Sequence, residues 1–120
     1  MNIIIDPEQL VEYQQKYTVL ELDTFRVLPE NKEVKAYCVV ESIPILEMQL
    51  TEGKRNLHNG LLENYRKRNW NYCNDALDHL IGSWNSELDS FYDDVRNRIN
   101  VFMENDPGEE FDGVIEKHTA

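Results

Sequence analysis

The sequence predicts an α+β fold: an antiparallel β-hairpin sheet of two strands, or three with residues 2–5, packed against a layer of three to four helices. Three observations carry that prediction. Residues 17–40 are rich in β-branched and aromatic side chains and are broken by one polar turn. From Pro44 onward apolar residues recur at three- and four-residue spacing. No β–α–β alternation is visible, and no Pro/Gly/Ser-rich linker parts two folding units. The expected organisation is a single domain over residues 1–105 followed by a polar, frayed tail over 106–120.

The first helix is predicted over residues 7–16. Asp6 can cap it, Pro7 suits its first position, and Leu10, Tyr13 and Tyr17 form a narrow apolar stripe. Over residues 17–27 the period changes to two. Leu20, Leu22 and Thr24 fall on one side of a strand; Val19, Glu21, Asp23 and Phe25 fall on the other. Pro29-Glu30-Asn31-Lys32 is a turn signal, and Val34–Val40 reads as the returning strand. A lone hairpin is marginal in water, so helices are expected to cover one face.

Two helices follow, over 53–68 and 70–81. Leu57, Leu61 and Tyr65 mark the first; Trp70, Cys73, Leu77 and Leu80 mark the second, which Gly82 stops. Ser86-Glu87-Leu88-Asp89 resembles a capping box, and Leu88, Phe91, Tyr92, Val95, Ile99 and Phe102 make the clearest amphipathic pattern in the chain. The expected core is Leu20, Leu22, Phe25, Val39, Leu57, Leu61, Tyr65, Trp70, Leu77, Leu80, Trp84, Leu88, Phe91, Val95 and Ile99.

Charge bounds the partners. Twelve bases against 23 acids leave a net charge of −11. Residues 54–68 run against the trend, with Lys54, Arg55, Arg66, Lys67 and Arg68 opposing Glu63. The whole should repel nucleic acid and anionic membranes; it could attract a basic protein partner, or the charge could serve solubility alone. Basic Arg66, Lys67 and Arg68, beside Tyr65 and Trp70, form a patch that could grip phosphates and stack bases. They equally complement the dipole at a helix C-terminus, and the overall charge disfavours nucleic acid. No apolar run approaches a membrane span, and no secretory prefix is visible. Two cysteines 35 residues apart, without a CxxC pair, fit free thiols in a reducing, cytoplasmic setting.

Candidate chemistry is sparse. His58 and His79 lack metal-ligand spacing; a site with Cys73 would have to be built by the fold, and the alternative is two partly exposed histidines and a buried thiol. Glu87, Asp89, Asp93 and Asp94 crowd the start of the last helix as a candidate acidic docking surface. Asp89 and Asp93, at i and i+4, could also hold a divalent cation or exchange protons. Anions at a helix N-terminus are favoured by its dipole, and Asp93–Arg96 and Asp94–Arg98 are in reach of pairing. Cys38 in a strand and Cys73 on an apolar stripe suit inert thiols. No catalytic residue, metal or cofactor is assigned.

Leu61, Tyr65, Trp70, Cys73, Leu77 and Leu80 together resemble a single degenerate tetratricopeptide-type helical hairpin, with Cys73 where that family has a small Ala. The resemblance implies an antiparallel helix pair of a kind that, in arrays, binds peptides. Leu20–Phe25, Ala36–Val39 and the stretch from Asn69-Trp70 to Phe91-Tyr92 resemble segments of small uncharacterised proteins of marine bacteriophages. That likeness implies a setting in the cytoplasm of an infected host or in the virion, and no functional residue. The resulting expectation is a non-enzymatic, acidic protein–protein interaction module, with an unknown partner. A minor virion or assembly component, homo-oligomeric, is the alternative, followed by a small metal-dependent hydrolase using Asp89, Asp93 and a histidine.

Overall fold

The computed structural model describes residues 2–44 and 48–118. The chain order is β1 (Asn2–Ile4), α1 (Pro7–Gln14), β2 (Tyr17–Leu28), β3 (Lys32–Pro44), α2 (Met48–Arg66), α3 (Trp70–Leu80), a short 3-10 turn (Trp84–Ser86), α4 (Asp89–Glu104) and β4 (Val114–His118). It is an α+β fold. Contacts gather the residues into two compact units, Met1–Met48 with Gly113–Ala120, and Gln49–Asp112.

In the first unit the sheet order is β1-β3-β2-β4. Both predicted strands form and pair antiparallel, with Val19 opposite Val39 and Leu20 opposite Cys38. Alternation decides the faces: Thr18, Leu20, Leu22 and Thr24 are buried, and the residues between them are half-buried. Between Glu21 and Thr24 the register slips, because three steps on β2 match two on β3. The extra residue is a β-bulge. Residues 2–4 do add a third strand, antiparallel to β3. Asp6 caps α1 as predicted, its Oδ1 accepting from the Glu8 backbone N–H at 2.9 Å, with Pro7 at the first helical position.

The sheet is mixed rather than purely antiparallel. β4 lies parallel to β2, pairing Thr24 with Val114 and Leu28 with His118. These residues fall in the segment predicted as a frayed tail. Val114-Ile115-Glu116-Lys117 has too few apolar residues to announce a strand. The β2 edge supplies what is missing: Arg26 meets Glu116 at 3.4 Å, and the Lys117 ammonium lies 5.9 Å from the centre of the Phe25 ring.

In the second unit the helical periodicities hold. Leu61, Tyr65, Leu77, Leu80, Trp84, Leu88, Phe91, Val95 and Ile99 are buried as expected, while Leu57 and Trp70 are half-buried. Helix α2 starts at Met48, earlier than the predicted 53, and ends at Arg66. Arg68 takes a left-handed backbone (φ 63°), and the Asn69 N–H closes the helix end on the Asn64 carbonyl at 2.9 Å. Gly82 (φ 86°) ends α3 in the left-handed region that glycine adopts without a Cβ clash. The predicted capping box does not form: α4 has Leu88 at its N-cap and no side-chain cap bond.

Candidate functional site

The core of the second unit contains a polar chain. The Tyr92 hydroxyl accepts from the Trp84 indole N–H at 3.0 Å and sits 2.9 Å from His58 Nδ1. Helix α4 brings Tyr92, α2 brings His58, and the 3-10 turn brings Trp84. His58, expected to be partly exposed, is fully buried, as is Tyr92, and Trp84 is 2% exposed. An imidazole can occupy an apolar interior when its ring nitrogens find partners, and Tyr92 supplies one. A network this enclosed holds the helices in one arrangement.

The four acidic candidates divide. Asp89 is structural: its Oδ1 accepts from the Gly82 backbone N–H at 2.8 Å, tying the end of α3 to the start of α4. Glu87 is half-buried. Asp93 and Asp94 are exposed, and neither predicted ion pair forms. Arg96 turns to α3 instead, reaching Asp78 Oδ1 at 2.6 Å and the Asn74 carbonyl at 3.2 Å. Arg98 donates to the Asp94 backbone carbonyl at 3.4 Å and places its guanidinium 5.7 Å from the centre of the Tyr65 ring. The Asp93 and Asp94 carboxylates make no hydrogen bond or ion pair among the described residues. Asp93, Asn97, Val101 and Glu104, spaced i, i+4, i+8 and i+11, share the exposed face of α4.

The basic candidates are largely answered within the unit. Lys67 Nζ meets Glu63 at 2.9 Å, and this hydrogen bond and charge hold the Glu63 carboxyl below its ordinary range. Arg68 donates to both oxygens of Asp106, at 3.1 and 3.3 Å. Asp106 also accepts from the Gly108 N–H, and that bond, followed by the Arg68 contact, lowers its pKa. Arg66 is exposed. Of the predicted patch, Lys67 and Arg68 therefore take part in local ion pairs.

Next to the Arg68–Asp106 pair opens a groove of about 450 Å³ lined by Arg68–Tyr72, Phe102, Met103 and Asp106. Its aromatic wall belongs to a four-ring cluster. Trp70 stacks on Phe102 at 5.4 Å, Phe111 meets Phe102 at 5.1 Å, and Tyr65 meets Phe111 at 5.4 Å. Trp70, Phe102 and Phe111 remain half-exposed, and Tyr72 and Met103 are exposed. Periodicity marked Tyr65, Trp70 and Phe102 as helix faces. Phe111 carried no such signal, because it follows the Asp106-Pro107-Gly108 turn and returns to the cluster through a loop.

The cysteines behave as small hydrophobes. Cys38 and Cys73 are both buried with no exposure. The Cys73 thiol donates to the Leu61 carbonyl at 3.7 Å, and burial pushes its pKa up to about 11. Since the thiolate is the nucleophile, neither cysteine of the folded protein should react with iodoacetamide at pH 8. Both should label fully in urea; rapid labelling of the native chain would contradict the buried placement. The raised Cys73 pKa also has a stability sign. The folded form holds its proton more tightly, so stability falls as pH rises from the ordinary thiol value of 9.0 through about 11.

Among the described residues no three His, Cys, Asp or Glu side chains gather to hold a metal ion. His79, weighed with His58 and Cys73 as a metal site that only the fold could build, is exposed, and its Nδ1 lies 2.8 Å from the Asp75 carbonyl. No described helix is long and apolar enough to cross a membrane. Comparison with protein families, curated proteins and solved structures finds none that matches the chain.

Proposed function

We propose that the chain is a non-enzymatic, acidic protein–protein interaction module whose contact surface joins the aromatic groove to the exposed face of α4. The observation that carries this reading is the pairing pattern of the second unit. Lys67, Arg68 and Arg96 are engaged by Glu63, Asp106 and Asp78, whereas Asp93 and Asp94 face solvent without a partner among the described residues. Its outward charge on α4 is therefore negative. The half-exposed Trp70 and Phe102 and the exposed Met103 supply apolar anchors of the types enriched at interface centres. A fitting partner is a basic segment carrying a large apolar side chain. Its lysines or arginines would meet α4, which also steers association. The likeness of α2–α3 to a tetratricopeptide-type hairpin supports a peptide-binding role, and the likeness to bacteriophage proteins points to a partner in the phage or its host.

The test is affinity capture with the wild-type chain and with an Asp93→Lys/Asp94→Lys variant. The wild type should retain a stoichiometric partner that is released as salt rises, because exposed charge pairs are screened. The variant should lose it while keeping the wild-type circular dichroism. A partner held equally by both chains, or none at all, counts against the proposal.

A further inference from the structure

Strand β3 is covered unevenly. Along one side β2 accompanies it from Lys32, paired with Val27, onward. Along the other, β1 reaches only Tyr37, Cys38 and Val39. Residues 32–36 therefore present an outer edge that no strand occupies among the described residues. A groove of about 630 Å³, lined by Ile5, Pro7, Leu10, Val34 and Tyr37 among others, opens along that edge. Free edges invite pairing, and a lysine on one ordinarily deters it. Here Lys35 is matched by Glu33 two residues away on the same face of the strand, both exposed.

Backbone geometry restricts how this edge can meet itself. In an antiparallel pair, opposed residues must both point their N–H and C=O groups toward the seam, or both away. A two-fold self-pairing must then be centred on a residue: Glu33, Val34 or Lys35. Centring on Glu33 opposes two glutamates, and centring on Lys35 opposes two lysines. Centring on Val34 opposes Val34 to its copy and sets Glu33 against Lys35 twice. The flanking strands extend the pattern. Arg26 of β2 already pairs with Glu33 at 3.6 Å, Lys35 with Glu21 at 3.5 Å, and Glu116 of β4 with Arg26. Across the seam the row reads Glu116, Arg26, Glu33, then Lys35 and Glu21 of the second copy, alternating in sign throughout.

We infer that the outer edge of β3 is a self-association site, pairing antiparallel with a second copy of this chain about a two-fold axis at Val34. It merges the two four-stranded sheets into one continuous sheet and satisfies the edge's backbone groups. This contact is independent of the α4 surface and the aromatic groove. Sedimentation of the wild type at physiological ionic strength, where a Debye length of about 8 Å damps the repulsion between two acidic chains, should show reversible dimers on approaching about 1 mM.

Charge variants identify the seam. Glu33→Lys and Lys35→Glu each replace two opposite pairs by two like pairs and should weaken self-association about tenfold or more. Mixed in equal amounts, the two variants restore both opposite pairs and should form a heterodimer. The double swap, Glu33→Lys with Lys35→Glu, restores both opposite pairs across the seam, though it sets each swapped residue beside a like charge on β2 (Arg26 or Glu21), and should associate more tightly than either single variant. That swap decides the matter even if a single variant misfolds. A wild type that stays monomeric throughout the range overturns the inference. So do single variants that associate as well as wild type, or a folded double swap that does not associate.

Discussion

Replacing Tyr92 with phenylalanine is expected to lower the unfolding free energy by about 3 kcal/mol. The substitution removes one oxygen and leaves the ring volume in place, so the loss reports on polar partners rather than packing. That oxygen lies between the Trp84 indole N–H at 3.0 Å and His58 Nδ1 at 2.9 Å. All three side chains lie in a core where water cannot take over: Tyr92 and His58 have no exposure. Each buried polar group that loses its partner costs roughly 1–3 kcal/mol, and two groups lose this one. Urea denaturation checks it: the midpoint should fall with the slope unchanged, as for a change in stability without a change in the surface exposed. Tyr72→Phe is the internal control. Tyr72 is 43% exposed, and its hydroxyl should be worth no more than about 0.5 kcal/mol. A Tyr92→Phe midpoint equal to that of Tyr72→Phe would show that the buried chain contributes nothing.

Ending the chain after Asp112 is expected to destabilise the first unit by on the order of 3 kcal/mol, given about 1 kcal/mol net for each ladder hydrogen bond and the ordering entropy returned. The truncation removes β4, whose five residues pair with Thr24–Leu28. It converts β2 from an interior strand to an edge and uncovers Phe25 and Arg26 from Lys117 and Glu116. Amide hydrogen exchange should register the loss locally. Protection at Phe25–Leu28 should drop sharply, and the truncated chain should aggregate more readily through its new edge. Glu116→Ala separates the ladder from its ion pair, because an exposed salt bridge contributes about 0.5 kcal/mol or less. Unchanged exchange at Phe25–Leu28 after truncation would mean that β4 does not support β2.

Both predictions concern features that local patterns do not encode. Helix periodicity marked the buried stripes of α3 and α4, because Cys73, Leu77 and Leu80, and Phe91, Val95 and Ile99, repeat within a few turns. Asp6-Pro7 and Gly82 were readable as a helix start and stop because capping depends on one residue's own backbone and side chain. The docking candidates were only partly readable. Asp93 and Asp94 stand on the exposed face, but Asp89 is consumed by Gly82, and Arg68 finds Asp106 across a separation of 38 residues. Charge counts the acids and bases on a segment; it does not say which of them meet.

The amino-acid order by itself determined the α+β class, the hairpin, the amphipathic helices and the two buried thiols, since each follows from spacing over a handful of residues. Tertiary structure decided the parallel β4, whose partner strand is about 90 residues distant, the enclosure of His58 by Tyr92, and the return of Phe111 to the aromatic cluster. In each of these the decisive neighbour is brought close only by the folded backbone, so its hydrogen bonds and contact area have no counterpart in local periodicity.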